Sequence, residues 1–328
     1  MSIRAMIVGT GSAIPEKVLT NQDFEKMIDT SDEWIVTRTG IKERHIASKG
    51  MNPSTLAIEA SRRALEMAGI KPEELDLIIS TTVFPDQPLP STATFIQMGL
   101  GAMNAAGFDM VAACSGFLYG LTNAEQFILT GKYKKVLLVS SEILSRVTDY
   151  EDRGSCILFG DGAGAVVLAP TNEDRGILQS IIHLDGNYID LLYVLAPGNI
   201  YRYDDPKIKE QGLNFIKLKG KEIFKIATRC MESVSREVLQ KANISIDEVD
   251  LFIPHQANQR ISLAVAERLK FPLKKVYSNI ERVGNTSSAS IPIALDEAVR
   301  AGKIHQRDLV LFAAFGGGVV WAGALVRW

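Results

Sequence analysis

The sequence predicts an α/β fold made of two halves with a similar plan. Segments with helical periodicity alternate along the chain with short apolar segments rich in valine, isoleucine and leucine, a pattern typical of sheets covered by helices. Residues 61–80 and 235–254 each contain a helical segment, a short turn and an apolar strand, with identical residues at a constant spacing of 174. We therefore predict an N-terminal half, residues 1–170, and a C-terminal half, residues 171–328.

Two matched stretches indicate this duplication. In the first, SRRALEMAGIKPEELDLIIS, where we expect a helix to end near Gly69, corresponds to SREVLQKANISIDEVDLFIP. In the second, a Gly-Lys pair ends a helical segment before KVLLV and again before DLVLF, at a spacing of 171, which makes Asn285 the counterpart of Cys114. A repeat of this length is too long for a solenoid, so we expect a duplicated α/β domain with its site between the halves.

Composition and charge narrow the class of protein. Hydrophobic residues make up 46% of the 328 residues, and the net charge of -2 argues against a nucleic-acid-binding protein, which normally has a basic excess. No apolar segment approaches the roughly 18 residues of a membrane helix, and the first residues lack a signal-peptide core. We therefore expect a cytoplasmic protein. The three cysteines form no CxxC pair, so we expect neither a disulfide framework nor a metal site.

Cys114 is the candidate nucleophile. It lies in FDMVAACSGFLYG, where an apolar segment leads into a helical one that ends near Gly131. The free N–H groups and the dipole at a helix N-terminus favour a thiolate, and a thiolate suits acyl transfer through a thioester. The alternative is a buried, inert cysteine, which is our interpretation of Cys156 and Cys230.

His255 and Asn285 follow strand-like segments of the second half. VDLFIPHQAN runs from an apolar strand into a polar end, and α/β folds place their sites beyond the carboxyl ends of strands. Asn285, in GNTSSASIP, could donate an amide N–H to a developing oxyanion. The alternatives are a histidine satisfied by local hydrogen bonds and a turn or cap asparagine. Cysteine, histidine and asparagine at three strand ends fit a cysteine hydrolase as well as a condensing enzyme.

Two glycine-rich segments have different interpretations. In AAFGGGVVWAGALVRW, three glycines between apolar strands permit close backbone approach. They could present a backbone N–H to a carbonyl oxygen or simply form a tight hairpin turn. FGDGAGAVV has neither the Gly-Lys-Ser/Thr of a Walker loop nor a dinucleotide-binding fingerprint, so we predict a turn into a strand.

Six segments in order resemble the β-ketoacyl-acyl carrier protein synthase III family, the initiating condensing enzymes of the thiolase superfamily. They are WIVTRTGIKERHIA, AACSGF, DRGSCILFGDGAG, HQANQRI, GNTSSASIP and FGGGVVWAGALVRW. The resemblance spans nearly the whole chain and implies a thiolase-like five-layered αβαβα fold with two duplicated halves, a homodimer, and no cofactor apart from acyl-CoA as substrate.

The resemblance also implies a two-stage reaction of fatty acid biosynthesis. An acyl-CoA, acetyl-CoA or another short primer, would acylate Cys114 and release CoA. Malonyl-acyl carrier protein would then lose carbon dioxide, and its enolate would attack the thioester to give a 3-oxoacyl-acyl carrier protein. His255 and Asn285 match the pair that hydrogen-bonds the malonyl thioester carbonyl. The backbone N–H groups of Cys114 and Gly317 match the oxyanion hole.

Further residues match binding positions of the family. The expected CoA contacts are Thr30, Trp34, Arg38 and Arg153. Of these, Trp34 and Arg153 would sandwich the adenine, since an aromatic face and a guanidinium plane suit a nucleobase. The expected contacts of the acidic acyl carrier protein are Lys225, Arg260 and Arg268. Without the resemblance, a core tryptophan and solvated cations would be the simpler interpretation. Glu267 stands where the family has a lysine, which weakens this patch.

The acyl pocket and one long loop distinguish this chain. Leu89, in PDQPLPSTATF, aligns with the loop that shapes the acyl pocket across the dimer interface, where some relatives have a phenylalanine that restricts primers to very short chains. Leucine at this position predicts room for propionyl or branched primers. Residues 186–207 predict a long surface excursion without an assigned function.

Three alternative functions stay open. They are a condensing enzyme of polyketide or quinolone-type metabolism, a non-catalytic acyl-binding relative and a cysteine acyl hydrolase.

Overall fold

The secondary structure alternates along the chain as its periodicity predicts. The computed structural model describes residues 3–328. The strands are β1 (Arg4–Ala13), β2 (Val18–Thr20), β3 (Glu43–His45), β4 (Leu77–Thr81), β5 (Ala106–Met110), β6 (Val136–Ile143), β7 (Asp161–Thr171), β8 (Gly176–Leu184), β9 (Leu192–Tyr193), β10 (Lys217–Leu218), β11 (Leu251–Pro254), β12 (Leu309–Gly316) and β13 (Val320–Arg327). The helices are α1 (Asn21–Glu25), α2 (Asp32–Thr39), α3 (Pro53–Ala68), α4 (Thr92–Leu100), α5 (Gly116–Leu129), α6 (Lys207–Glu210), α7 (Gly220–Ala242), α8 (Gln259–Leu269), α9 (Ile280–Val283) and α10 (Ser290–Arg300).

Two mixed sheets form the framework. The first has the order β1-β7-β6-β4-β5, and the second has the order β11-β12-β13-β8. In the first sheet β4 runs parallel to β5 and β6, while β7 runs antiparallel to β1 and β6. In the second sheet β11 runs parallel to β12, and β13 runs antiparallel to both its neighbours. The strands of the first sheet all precede those of the second in the chain. The division into two duplicated halves stays a prediction of the sequence.

Helices and sheets alternate in five layers. α3 packs on one face of the first sheet with α4 beside it, whereas α5 and α10 contact strands of both sheets. α7 packs on the outer face of the second sheet, and α8 packs on α7. The central pair of helices is therefore covered on both sides, which explains why α10 is buried over most of its length.

Sequence patterns explain the buried strands and the helix ends. Every residue of β4 and of β6 is buried, as expected for parallel strands that carry helices on both faces of their sheet. α3 ends at Gly69, which has the left-handed φ of 63° that glycine adopts without strain. This confirms the predicted helix end. Asn243 ends α7 in the same conformation, with a φ of 55°.

The central helices begin at one place between the sheets. A 3-10 turn, Ala113–Ser115, precedes α5, and a second 3-10 turn, Ser287–Ala289, precedes α10. These two turns contact each other. The N-termini of α5 and α10 therefore bring the segments around Cys114 and Asn285 together.

Within residues 3–328, no helix has both the length and the apolar character needed to cross a lipid bilayer.

The contact of α3 with β1 depends on the absence of a side chain at Gly11. A Cβ atom there would lie 2.2 Å from the Ala60 carbonyl oxygen, which belongs to the helix backbone and cannot rotate away. We expect Gly11→Ala to lower the free energy of unfolding by about 1–3 kcal/mol, because the helix must shift to relieve overpacking. Urea unfolding of the variant measures this loss.

Gly186→Ala is the matched control for this substitution. Gly186 has open space around its Cβ position, so its replacement should change the free energy of unfolding by less than about 0.5 kcal/mol. Equal losses in both variants would show that the close approach of α3 to β1 is not a constraint.

Candidate active site

Cys114 occupies the turn before α5, as the sequence predicts. Its neighbour Ala113 has a left-handed φ of 44°, an unusual conformation for a residue with a side chain. On the other side, Gly316 at the end of β12 approaches so closely that a Cβ there would lie 2.7 Å from the Cys114 backbone nitrogen. The Ser287 hydroxyl donates a hydrogen bond to Cys114 Sγ at 3.4 Å. The sulfur is thus fixed between the first turns of the two central helices.

The predicted resting thiolate at Cys114 is wrong for the free protein. Burial raises the pKa of the thiol to about 11; the hydrogen bond from Ser287 opposes this shift, and the charge of Glu142 adds to it. The helix N-terminus favours an anion by a modest amount, whereas removal of a charge from water costs much more. At neutral pH the sulfur therefore keeps its proton until a reaction takes it.

His255 lies directly after β11 and is 1% exposed. Its backbone N–H donates to the Ala313 carbonyl oxygen at 2.8 Å, and its Nδ1 lies 2.6 Å from the Ser290 hydroxyl oxygen. That oxygen already accepts the Gln256 N–H at 3.3 Å, so we assign the Ser290 hydroxyl proton to Nδ1 and the imidazole proton to Nε2. Burial lowers the pKa of His255 to about 3, and the ring is a neutral N–H donor at physiological pH.

Asn285 is held at its backbone and at one end of its amide. Its N–H donates to the Leu158 carbonyl at 2.9 Å, and its own carbonyl accepts the Gly160 N–H at 3.0 Å. Its side-chain Oδ1 accepts the Ser287 N–H at 2.9 Å. Asn285 is therefore also the turn residue named as the alternative. Because Oδ1 is engaged, Nδ2 is the end of the amide that can donate to a ligand.

Cys114, His255 and Asn285 line one cavity of about 110 Å³, which extends past α7 and α8. Cys114 also lines a second, mainly apolar cavity of about 470 Å³. Phe159 and Leu192 belong to both linings, so the two cavities meet beside the sulfur. The sulfur can therefore be approached from two cavities, and the smaller one also carries His255 and Asn285.

Gly317 lies in the turn between β12 and β13, where the sequence allows either a hairpin or a ligand contact. Gly316 pairs with Val320 across the hairpin, and Gly317 lines the larger cavity together with Cys114. A Cβ at Gly317 would lie 2.8 Å from the Leu192 carbonyl oxygen. The glycine therefore allows the loop that carries Leu192 to close against the hairpin.

The residues expected to hold CoA gather at α2. The guanidinium carbon of Arg153 lies 4.1 Å from the Trp34 ring centroid, and that of Arg38 lies 4.6 Å from it. With Arg153 in direct contact with the indole, an adenine can stack between them only after the arginine moves. Thr30 Oγ1 and Arg153 Nε are buried without a hydrogen-bond partner among residues 3–328.

The cations expected to dock a carrier protein lie on the adjacent helices α7 and α8. Arg260 lies over the Phe224 ring, with its guanidinium carbon 5.6 Å from the centroid. Lys225 and Arg268 line an open depression that also includes Glu267. Arg268 Nε is 2.6 Å from a carboxylate oxygen of Glu232. The patch is therefore partly neutralised by its own carboxylates.

The structure leaves the expectation for Leu89 untested and changes the one for the segment 186–207. Leu89 is 83% exposed and does not line the larger cavity within its own chain, so its contribution across an interface stays a prediction. The segment 186–207 is more than a surface excursion, because Leu192–Tyr193 pairs with Lys217–Leu218 and the segment forms one wall of the larger cavity. The lining residues from this segment are Leu192, Tyr193, Val194, Ala196 and Pro197.

Sequence analysis missed three residues that surround the reactive groups. Ser290 contacts His255, Ser287 contacts Cys114, and the buried carboxyl of Glu142 accepts a hydrogen bond from Ser288 at 2.6 Å. The serines lie in the quoted segment GNTSSASIP, whose run of hydroxyl residues before a helix was a usable signal. Glu142 lies in an apolar strand, VLLVSSEI, where one acidic residue was the signal.

Comparison with known proteins identifies the family. Family models described as 3-oxoacyl-[acyl-carrier-protein] synthase III match residues 108–186 and, for the C-terminal part, 239–328. The β-ketoacyl-[acyl-carrier-protein] synthase III of Caldanaerobacter subterraneus subsp. tengcongensis is 50% identical over 326 residues, covering 99% of this chain and 98% of that protein. The chain belongs to the β-ketoacyl-acyl carrier protein synthase III family.

Solved structures agree with this assignment. The 3-oxoacyl-[acyl-carrier-protein] synthase III from Aquifex aeolicus superposes with a TM-score of 0.92 at 48% identity, covering 99% of this chain and 100% of that one. A priming β-ketosynthase from a polyketide biosynthetic pathway also superposes with a TM-score of 0.92, at 34% identity, covering 100% and 97%. The predicted thiolase-like fold is confirmed, and the chain is a condensing enzyme of the acyltransferase class.

The raised pKa of Cys114 predicts a pH dependence for alkylation by iodoacetamide. The thiolate is the reactive form, and its fraction rises about tenfold per pH unit below a pKa of about 11. The alkylation rate should therefore keep rising from pH 7 to pH 9, as measured by mass spectrometry of the peptide that contains Cys114. A rate that levels off by pH 8 would show that the thiolate already forms near neutrality.

Proposed function

We propose that this enzyme transfers an acyl group from acyl-CoA to Cys114 and then condenses it with malonyl-acyl carrier protein. The observation that carries the proposal is the meeting of two cavities at one sulfur. The smaller cavity contains His255 and Asn285, and the larger, mainly apolar cavity can hold a hydrocarbon chain. The products are a 3-oxoacyl-acyl carrier protein, CoA and carbon dioxide, and the reaction starts fatty acid synthesis.

The first stage needs a nucleophile and donors for a tetrahedral oxyanion. Cys114 Sγ attacks the thioester carbonyl, and the CoA sulfur leaves and takes up the proton that Cys114 loses. Gly317 lines the cavity beside Cys114, which supports the proposal that the backbone N–H groups of these two residues receive the oxyanion. Backbone donors in a dry site cost no reorganisation during the reaction.

The second stage needs donors rather than a strong base. Loss of carbon dioxide from the malonyl group itself supplies the electron pair of the enolate, so no carbon-bound proton has to be removed. His255 is neutral because burial lowers its pKa, and its Nε2–H together with Asn285 Nδ2 can stabilise the developing enolate oxygen. The enolate carbon then attacks the Cys114 thioester, and the sulfur becomes the leaving group.

Binding of the acyl donor and of the carrier follows the placement of the cations. Thr30, Trp34, Arg38 and Arg153 would hold CoA, and the movement of Arg153 away from Trp34 would admit the adenine. Lys225, Arg260 and Arg268 lie on α7 and α8, the helices that line the smaller cavity, and an acidic carrier would present its thioester there. The reaction needs no cofactor or metal beyond these substrates, and we propose a cytoplasmic enzyme.

We propose a homodimer in which Leu89 of one chain closes the acyl pocket of the other. Leu89 is an exposed apolar side chain on the segment that also supplies Val83, Phe84 and Pro85 to the larger cavity. Its exposure leaves the side chain available to a second copy of this chain. Leucine at the far wall would leave room for short branched primers as well as acetyl and propionyl groups.

Polyketide priming is the second candidate. The priming β-ketosynthase that shares the fold is 34% identical, against 50% for the fatty acid relative, so fatty acid synthesis is favoured. Efficient use of malonyl-CoA in place of malonyl-acyl carrier protein would point to the second candidate.

A two-step experiment tests the proposal. The protein is incubated with a panel of acyl-CoAs, and the mass increment is located by peptide mapping; malonyl-acyl carrier protein is then added and the product identified. We expect acylation at Cys114, none in Cys114→Ala, and a 3-oxoacyl product. Acylation elsewhere, or release of free acid without condensation, would contradict the proposal.

Asn285→Ala separates the two half-reactions. Removal of one oxyanion donor costs roughly 3–4 kcal/mol in comparable sites, so decarboxylation of malonyl-acyl carrier protein should slow by two to three orders of magnitude. Self-acylation by acyl-CoA should fall much less. Asn123→Ala, which removes an amide bonded to the Tyr119 carbonyl on α5, is the control and should leave both rates unchanged. Equal loss of both half-reactions in Asn285→Ala would contradict a specific role of this residue in decarboxylation.

Arg260→Glu tests the carrier patch. Reversal of this charge should raise the KM for malonyl-acyl carrier protein by at least about tenfold, since close charge pairs at interfaces contribute about 1.5 kcal/mol or more. Self-acylation from acyl-CoA should be spared. Arg62→Glu makes the same charge change on α3 and should affect neither reaction. An equal loss of carrier use and of self-acylation would refute the docking role.

A further inference from the structure

Arg44 is a buried cation outside the proposed chemistry. It lies in β3 and has no exposed surface. Its Nη1 donates to Asn21 Oδ1 at 2.7 Å, and its Nη2 donates to the Ile157 carbonyl oxygen. Its guanidinium carbon lies 4.7 Å from the Phe24 ring centroid. Burial lowers the pKa of Arg44 only to about 10, so the side chain stays charged at neutral pH.

The hydrogen-bond partners of Arg44 carry no negative charge. Within residues 3–328, they are an amide oxygen and main-chain carbonyl oxygens, and Nε is buried without a partner. Removal of a cation from water without a paired anion is costly, and an apolar side chain of similar size would fill the same space at lower cost. The presence of a guanidinium therefore indicates that its hydrogen bonds hold a required geometry.

The main-chain segment that Arg44 holds is the one that holds Asn285. The Asn285 N–H donates to the Leu158 carbonyl at 2.9 Å, and the Asn285 carbonyl accepts the Gly160 N–H at 3.0 Å. Leu158 directly follows Ile157, whose carbonyl oxygen receives the Arg44 Nη2 hydrogen bond. One short segment therefore connects the buried guanidinium with the backbone of Asn285.

The stem of Arg44 also packs against the glycines beside this contact. A Cβ atom at Gly160 would lie 3.2 Å from Arg44 Cβ, and one at Gly284 would lie 3.1 Å from it. Gly284 directly precedes Asn285 and has a left-handed φ of 67°. Arg44 therefore contacts both of the main-chain segments that meet at Asn285.

We propose that Arg44 is a positioning residue for Asn285 in the decarboxylation stage, an inference that rests on the function proposed above. The guanidinium fixes the Ile157 carbonyl, and the residues that follow fix the Asn285 backbone. The Asn285 amide, whose Oδ1 is already engaged, then keeps Nδ2 in the orientation that stabilises the enolate oxygen. Such a donor is effective because it is aligned before the reaction, and the residues around it maintain that alignment.

The competing role for Arg44 is support of the residues expected to bind CoA. Its partner Asn21 also donates to Asp32 Oδ1 at 2.8 Å, at the start of α2, and Ile157 belongs to the apolar cluster that includes Trp34. A role in CoA binding predicts a higher KM for acyl-CoA in self-acylation. A role in positioning Asn285 predicts a loss that is confined to decarboxylation, so the two half-reactions separate the two roles.

The test measures both half-reactions in Arg44→Met, which keeps an apolar stem and removes the guanidinium. For carbon dioxide release from malonyl-acyl carrier protein, we expect kcat to fall by at least about tenfold and KM to change by less than threefold. The rate of self-acylation by acyl-CoA, followed by intact-protein mass, should change by less than threefold. All rates are measured below the thermal unfolding transition of each variant, as recorded by circular dichroism.

A double variant shows whether the effect passes through Asn285. Asn285→Ala removes the amide that Arg44 is inferred to position, so the addition of Arg44→Met should slow decarboxylation by less than a further threefold. A residue that acts only on overall folding would lower the rate by the same factor in either background.

Two further variants complete the comparison. Arg44→Lys keeps the charge but replaces the planar fork by a single ammonium group, so its kcat for decarboxylation should lie between those of wild type and Arg44→Met. If Arg44→Met does not fold, Arg44→Lys decides by the same comparisons, with an expected loss of at least threefold. Arg62→Met is the matched control, because Arg62 is an exposed arginine that also donates to a main-chain carbonyl, that of Gly99, and it should behave as wild type.

Four results would overturn the inference. Arg44→Met could release carbon dioxide as fast as wild type. Both half-reactions could fall by the same factor, which would make Arg44 a purely structural residue. The loss could appear as a higher KM with an unchanged kcat, which would assign Arg44 to substrate binding. The losses of Arg44→Met and Asn285→Ala could multiply in the double variant. A wild-type chain that releases no carbon dioxide from malonyl-acyl carrier protein would instead overturn the proposed function, and the inference with it.

Discussion

The candidate reactive groups lie between the two sheets, where α5 and α10 begin, and the cost of moving charge from water into this place sets the chemistry of the site. Burial raises the pKa values of Cys114 and Glu142 and lowers that of His255. All three shifts favour the neutral form, since desolvation acts against charge of either sign. A site of this kind works through hydrogen bonds that are aligned before the substrate arrives, rather than through charges that are present at rest.

The alignment depends on two short turns in strained conformations. Ala113 and Ser287 both have a left-handed φ, and each lies in the 3-10 turn that precedes a central helix. Backbone strain of this kind persists where the surrounding structure holds it. Here the helices, the close approach of Gly316 to Cys114 and the hydrogen bonds of Asn285 hold the two turns together. The same region supplies the sulfur, the Asn285 amide and the Ser287 hydroxyl that donates to the sulfur.

The loop between β8 and α7 completes the site from outside the two-sheet framework. Leu192 belongs to the walls of both cavities, and its carbonyl group packs against Gly317. The apolar cavity is therefore shaped by a segment that lies outside the matched stretches of the two halves. This arrangement separates the helix turns that carry Cys114 and Asn285 from the loop that forms a wall of the larger cavity.

Sequence by itself predicted the α/β class, the helix end at Gly69 and the three candidate residues that line one cavity, because each prediction depends on local chemistry. Hydrophobic periodicity records which faces are buried, left-handed glycines end helices, and cysteine, histidine and asparagine after strands are visible in the printed chain. Only the tertiary structure decided the protonation of Cys114 and His255, because desolvation depends on every element packed around a group. Contacts between segments far apart in sequence also brought Glu142 on β6 to Ser288, and no local pattern specifies such a contact. The contact of Arg153 with Trp34 is of the same kind, since the two residues are joined only by the folding of distant loops.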